Sequence, residues 1–107
     1  MERGEVRWYT FQEPDKTRPV LILTRNSAIR YLNAVTVAPI TTTTRGVPSE
    51  VKLSSEDGMV TECAANFYNL QTVPKRKVGA WITTLSQDKL MEVDQAIQFA
   101  LGIGIEE

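Results

Sequence analysis

The chain contains no histidine and a single cysteine, Cys63. Histidine is the commonest general base near neutral pH and the commonest metal ligand, so its absence makes an imidazole-driven reaction or a zinc site improbable on composition alone. One thiol excludes an internal disulfide and fits a reducing cytoplasm. No apolar run approaches the roughly 20 residues that cross a bilayer, and the opening Met1 to Glu5 has no signal-peptide character. With a net charge of -1 the protein does not coat nucleic acid by bulk charge. What remains is 107 residues, 42% hydrophobic and 23% charged, the composition of one globular domain with one core, expected over residues 1-107.

The charge is unevenly distributed. Residues 14-45 carry +4 and Lys75, Arg76 and Lys77 add +3, while residues 46-64 carry -3 and residues 85-107 carry -4. If the basic segments meet in the fold, a polyanion-binding face survives on an acidic protein.

The most informative stretch is Lys16 to Asn26. Val20, Leu21, Ile22 and Leu23 form an unbroken apolar run, the pattern of a strand buried on both faces. Pro19 suits a strand entrance and biases Arg18 toward extended backbone. A guanidinium fixed there can present two parallel N-H donors to a phosphate. From local sequence alone, the plainer reading is a surface arginine in a solvated ion pair with Glu13 or Asp15.

Further along, Gly4 to Phe11 alternates as a strand and 12-17 is a turn. Ala28 to Leu32 suits one helical turn. Val35 to Ile40 reads as a second buried strand, followed by the hydroxyl run Thr41 to Thr44 and the loop tip Arg45 to Ser49. Glu50 to Leu53 is a short strand, with Asp57-Gly58 as a candidate hairpin turn. Met59 to Ala65, Tyr68 to Val73 and Val78 to Thr83 look extended, and Pro74 to Lys77 is a basic turn. Only the end has helical period: Ser86 is a good N-cap, Leu90, Val93, Ile97, Ala100 and Leu101 form one stripe, and Gly102 closes the helix. The expected fold is mainly β with a C-terminal helix (α+β), a small strongly bent sheet or barrel. A split α+β sandwich is the other pattern-level reading. Trp8, Trp81 and Phe99 are expected in the core.

Taken together, R-G-E-V-R-W (Arg3 to Trp8), T-R-P-V-L-I-L (Thr17 to Leu23), V-T-V-A-P-I-T (Val35 to Thr41), P-S-E-V (Pro48 to Val51), L-Q-T-V (Leu70 to Val73) and the closing A-L-G (Ala100 to Gly102) resemble, in order, the MazF/PemK family of toxins from bacterial toxin-antitoxin pairs. The resemblance implies a CcdB/MazF-type barrel related to SH3-like barrels, a homodimer, and a cognate antitoxin whose acidic, flexible tail covers the RNA groove. It implies a sequence-specific endoribonuclease on single-stranded mRNA, needing no metal or cofactor, with Arg18 and Thr41 as the catalytic pair. RNA contacts are expected from Lys16, Thr17, Arg25, Thr42, Arg45, Tyr68, Asn69, Gln71, Lys75, Arg76 and Lys77.

That chemistry suits what the chain lacks. The RNA 2'-hydroxyl can itself attack the adjacent phosphorus, and fixed donors aimed at the phosphoryl oxygens stabilise the charge that gathers there. Arginine is not deprotonated in proteins, so Arg18 reads as an electrostatic and possible acid group rather than a base. The base stays open between Glu13, Asp15 and water. Two departures from relatives stand out: Tyr68, followed by Asn69, occupies a place where an acidic residue is common, and the loop between the first two strands is short. Tyr68 suits packing or stacking on a splayed base. The rival readings are a CcdB-like, non-catalytic gyrase binder on the same barrel, and a degenerate nuclease that keeps only antitoxin and RNA binding.

Overall fold

A computed structural model of the chain describes residues 1-12 and 16-104. Glu13 and Asp15, two of the base candidates, lie outside the described residues. Seven strands form one sheet: β1 (Glu5–Phe11), β2 (Lys16–Ile22), β3 (Ala34–Thr41), β4 (Glu50–Leu53), β5 (Cys63–Asn66), β6 (Gln71–Pro74) and β7 (Trp81–Thr84). A one-turn helix, α1 (Asn26–Ile29), follows β2, and α2 (Gln87–Leu101) is the last element among the described residues. The strand order is β4-β5-β3-β2-β1-β7, with β6 pairing the first half of β3. β3 is therefore shared: its start pairs β6 and its end, Ile40 and Thr41, pairs Ala65 and Ala64 of β5. Such sharing bends the sheet into a half-barrel, the architecture expected from the sequence.

β2 explains its own apolar run. Leu21 enters the core under α2, with Val6, Ala38, Ile40, Val51, Leu53, Phe67 and Val93. Val20 and Ile22 enter a second core on the opposite face, with Tyr9, Ile29, Val35, Val37 and Val73. Because successive strand residues point to opposite faces, a strand that serves two cores must be apolar at every position.

α2 is capped as expected. The Ser86 hydroxyl accepts from Lys89 N at 3.1 Å, and Gly102 ends the helix in the left-handed conformation at φ 71°. Its buried side chains are Leu90, Val93 and Ala96. Leu101, expected in the stripe, is exposed, since the stripe drifts around the helix and the last turn passes beyond the sheet. Trp8, Trp81 and Phe99 correct the core expectation: they are 42%, 54% and 43% exposed. Trp8 sits at the open mouth of the main core and Trp81 on β7, at the end of the strand order, where no further strand covers it.

Asp57-Gly58 does not make a two-residue hairpin turn. β4 and β5 do pair antiparallel, Leu53 opposite Cys63, but residues 54-62 intervene. A 3-10 turn, Ser55–Asp57, is held by a reciprocal cap: Glu56 N donates to Ser54 Oγ at 3.2 Å and Ser54 N to Asp57 Oδ2 at 2.9 Å. Gly58 closes it at φ 92°. The Tyr68 to Val73 segment, expected as extended, begins inside a 3-10 turn at Phe67–Asn69, capped by Asn66.

Candidate functional site

Arg18 stands third in β2, opposite Tyr9 of β1, and is partly exposed. Two residues on, Val20 pairs with Pro39 as the last rung between β2 and β3. Prolines bracket this point, Pro19 on one strand and Pro39 on the other. Neither offers an N-H, so the ladder ends here. Beyond it β3 turns to β5, while β2 remains paired with β1 alone.

The parting opens a cleft of about 580 Å³ on the Arg18 face, lined by Phe11, Gln12, Lys16, Arg18, Pro39, Tyr68, Asn69, Leu70 and Gln71. One wall is basic and lies on β2. The other is the 67-71 segment, and local bonds explain its shape. Fully buried Phe67 anchors it and donates its N-H to Ser49 O at 2.9 Å, while Asn66 Oδ1 accepts from Tyr68 N at 2.9 Å. With Phe67 tied inward, Tyr68 is turned out, 64% exposed. No ion pair or side-chain hydrogen bond engages Arg18 among the described residues. The cleft thus offers two cations, amide groups from Asn69 and Gln71, and an open aromatic face.

Thr41 lies at the other side of the parting. It lines a narrower apolar cavity of about 230 Å³ with Thr42, Trp8, Pro19, Ile40, Met59, Val60, Thr61, Cys63 and Ile82. The Thr41 hydroxyl oxygen accepts from Thr43 N at 3.1 Å, which leaves its proton to be donated elsewhere. Arg18 and Pro19, adjacent in β2, line the two concavities in turn. Cys63 borders the second one as a buried thiol whose pKa is raised above the ordinary 9.0 by burial and then by the nearby Asp57 carboxylate. It is a poor nucleophile there.

The other expected contact residues are divided by the fold. Lys16, Tyr68, Asn69 and Gln71 join Arg18 in the cleft. Thr42 accompanies Thr41. Thr17 shares a hydrogen bond of 2.8 Å with Thr10, Oγ1 to Oγ1. Arg45 is exposed in the 42-49 loop, its N-H bound to Glu50 Oε1 at 2.9 Å. Lys75, Arg76 and Lys77 form a 3-10 turn at the far end of β3, where Lys75 N donates to Asn33 O, and Arg25 precedes α1 at that same end. The basic segments therefore do not converge on the Arg18 cleft. Phe11, Gln12 and Leu70 line the cleft without having been singled out from sequence. Register could have found Phe11, which pairs Lys16 and shares its face.

A half-barrel with a C-terminal helix and a cationic cleft at the end of its central strands is the architecture expected of the toxin family, and comparison with known proteins bears it out. Residues 2–101 match the family described as PemK-like, MazF-like toxin of type II toxin-antitoxin system. The chain belongs to this family. It is 41% identical over 88 residues, 82% of each chain, to the endoribonuclease MazF3 of Mycobacterium tuberculosis. The structure of the Mycobacterium tuberculosis toxin MazF-mt6 superimposes with a TM-score of 0.80 at 35% identity, covering 94% of this chain and 99% of that one. An endoribonuclease from a mycobacterial species, in complex with its cognate antitoxin, has the same fold, with a TM-score of 0.87 at 24% identity over 99% of both chains.

Proposed function

We propose that the chain is a single-domain endoribonuclease toxin that cuts single-stranded RNA by attack of the substrate's own 2'-hydroxyl on the adjacent phosphorus. The observation that carries the reading is Arg18 at the head of a strand locked into two cores, facing an open cleft beside Lys16. The attack forms the 2'-O to phosphorus bond and breaks the phosphorus to 5'-O bond, leaving a 2',3'-cyclic phosphate and a free 5'-hydroxyl. Negative charge accumulates on the phosphoryl oxygens, and a rigid guanidinium stabilises it more than it stabilises the ground state. Thr41 supplies a neutral donor to the same phosphate, its hydroxyl oxygen already engaged by Thr43 N. The amide groups of Asn69 and Gln71 suit base edges, and Tyr68 suits stacking on a splayed base.

The active unit in this reading is a homodimer, and a cognate antitoxin silences it by laying an acidic, flexible tail over the basic cleft. The groove of about 660 Å³ lined by Leu23, Leu32, Leu70 and Ile97 supports an apolar contact between copies. The test is incubation of the pure protein with a long single-stranded RNA in EDTA. Cleavage leaving 2',3'-cyclic ends, and its loss in Arg18→Ala, supports the reading. Undiminished cleavage by Arg18→Ala removes Arg18 from the chemistry, and no cleavage by wild type combined with inhibition of gyrase supercoiling supports the binding-toxin alternative.

A further inference from the structure

We propose that a separate concavity, walled by Arg7, Arg30 and Lys75, is a landing surface for the phosphates of the same RNA strand that occupies the Arg18 cleft; this rests on the nuclease reading above. The concavity measures about 530 Å³ and is also lined by Met1, Glu2, Asn26 and Ile29. Its cations come from three different parts of the fold: β1, the end of α1 and the turn after β6. Arg25, Arg76 and Lys77 flank it and are exposed.

Two of these cations are held in place by backbone carbonyls. Lys75 Nζ donates to the carbonyl of Ile29 at 2.8 Å, and Arg7 NH1 to that of Gly79 at 3.1 Å. Only Arg7 has an acidic partner, Glu5 at 2.7 Å; Arg25, Arg30, Lys75, Arg76 and Lys77 have none among the described residues. Two acids, Glu2 and Glu5, stand against six cations and the amino terminus, on a protein whose net charge is -1. Concentrated charge of this kind binds a polyanion through phosphate contacts and counterion release rather than by reading sequence.

Its position fits a strand that continues from the cleft. Arg7, Tyr9 and Phe11 share one face of β1, opposite Val20, Arg18 and Lys16 of β2. The patch therefore lies on the same sheet face as the Arg18 cleft, with the second core between them. Four strand steps from Phe11 to Arg7 separate the two by roughly 13 Å. A substrate of a few nucleotides fills the cleft alone, and a longer one reaches both.

The full-length chain is titrated over a salt series with two all-deoxy single strands, which cannot be cut because they lack the 2'-hydroxyl, of about 4 and about 16 nucleotides. The expected result is that the longer strand binds more tightly and with a steeper salt dependence. The variant Arg30→Gln/Arg76→Gln/Lys77→Gln should lower the slope of log affinity against log salt for the longer strand by about 2, at roughly 0.7 per lost contact, and change the short strand little. All three side chains are exposed, and the charge-keeping Arg30→Lys/Arg76→Lys variant should retain the wild-type slope. An unchanged slope in the neutralised variant overturns the proposal, as does an equal loss on both lengths. If that variant loses poly-glutamate binding while its slope on the long strand persists, the patch serves an acidic protein instead, and the proposal falls. Failure of wild type to cleave RNA sinks the nuclease reading without touching the slope measurement.

Discussion

Arg18 lies two residues before Val20, and Thr41 two residues beyond Pro39, the pair that closes the β2–β3 ladder. The two candidate catalytic groups thus stand at the same level on either side of the point where the strands part. Arg18 lines the basic cleft and Thr41 the neighbouring apolar cavity, so on the proposed reading the scissile phosphate lies at the boundary between the two.

Removal of the guanidinium should be costly. Arg18→Ala is expected to lower cleavage of single-stranded RNA by about 10²- to 10³-fold, the usual loss for one transition-state donor. Arg18→Lys should recover part of this, since it restores charge but not the planar fork. Single-turnover rates in EDTA read the outcome.

Thr41 separates hydroxyl from shape. Thr41→Ser should stay within a few-fold of wild type, whereas Thr41→Val, nearly isosteric, should lose about 1.5 to 3 kcal/mol of stabilisation, roughly a tenfold or greater loss of rate. Equal rates for both variants would exclude the hydroxyl from the chemistry.

The Ser54 to Gly58 turn should be a stability hot spot remote from the cleft. Gly58 is left-handed at φ 92°, and an added Cβ would run into the Thr83 side chain. Gly58→Ala is therefore expected to destabilise by more than the roughly 1 to 2 kcal/mol of a left-handed residue alone. Chemical denaturation should register this while catalysis at a permissive temperature is retained.

Phe67 carries the outer wall of the cleft. Phe67→Ala should cost about 3 to 5 kcal/mol and disorder the 67-71 segment. Phe67→Leu, which keeps most of the apolar volume, should retain the fold. A melting curve for each, with affinity for a short deoxy strand, separates stability from binding.

Cys63 sets an alkaline limit. Its folded pKa is raised above 9.0, so the folded state holds the proton more tightly than the unfolded chain. The associated stability is complete below pH 9 and is lost as pH rises from there through the folded pKa. Urea midpoints should fall above pH 9 in wild type and fall less in Cys63→Ala, and native Cys63 should resist alkylation at pH 8.

Much of the fold was legible because pattern and propensity agree. The four-residue apolar run at Val20 to Leu23 announced a strand with two buried faces, and Ser86 and Gly102 marked both ends of α2. Short-range signals failed where long-range contacts decided. Asp57-Gly58 has hairpin chemistry, but Ser54 caps a 3-10 turn instead. The aromatic residues Trp8 and Trp81 looked like core because hydrophobicity does not reveal where a sheet ends. In the site, Lys16 and Arg18 were visible from the Pro19 entrance, and Gln71 from its block. The division of the basic residues into two patches was not visible, since it depends on β3 pairing β6 at one end and β5 at the other.

The two walls of the Arg18 cleft answer to different constraints. The β2 wall is rooted in both cores, so its guanidinium cannot shift without cost to the whole molecule. The opposite wall is anchored by Phe67 and by Leu70 against the main core, leaving Tyr68 and Asn69 between them open to exchange. On the proposed nuclease reading, a chain built this way can acquire new cleavage preferences at one wall while the guanidinium at the other stays fixed.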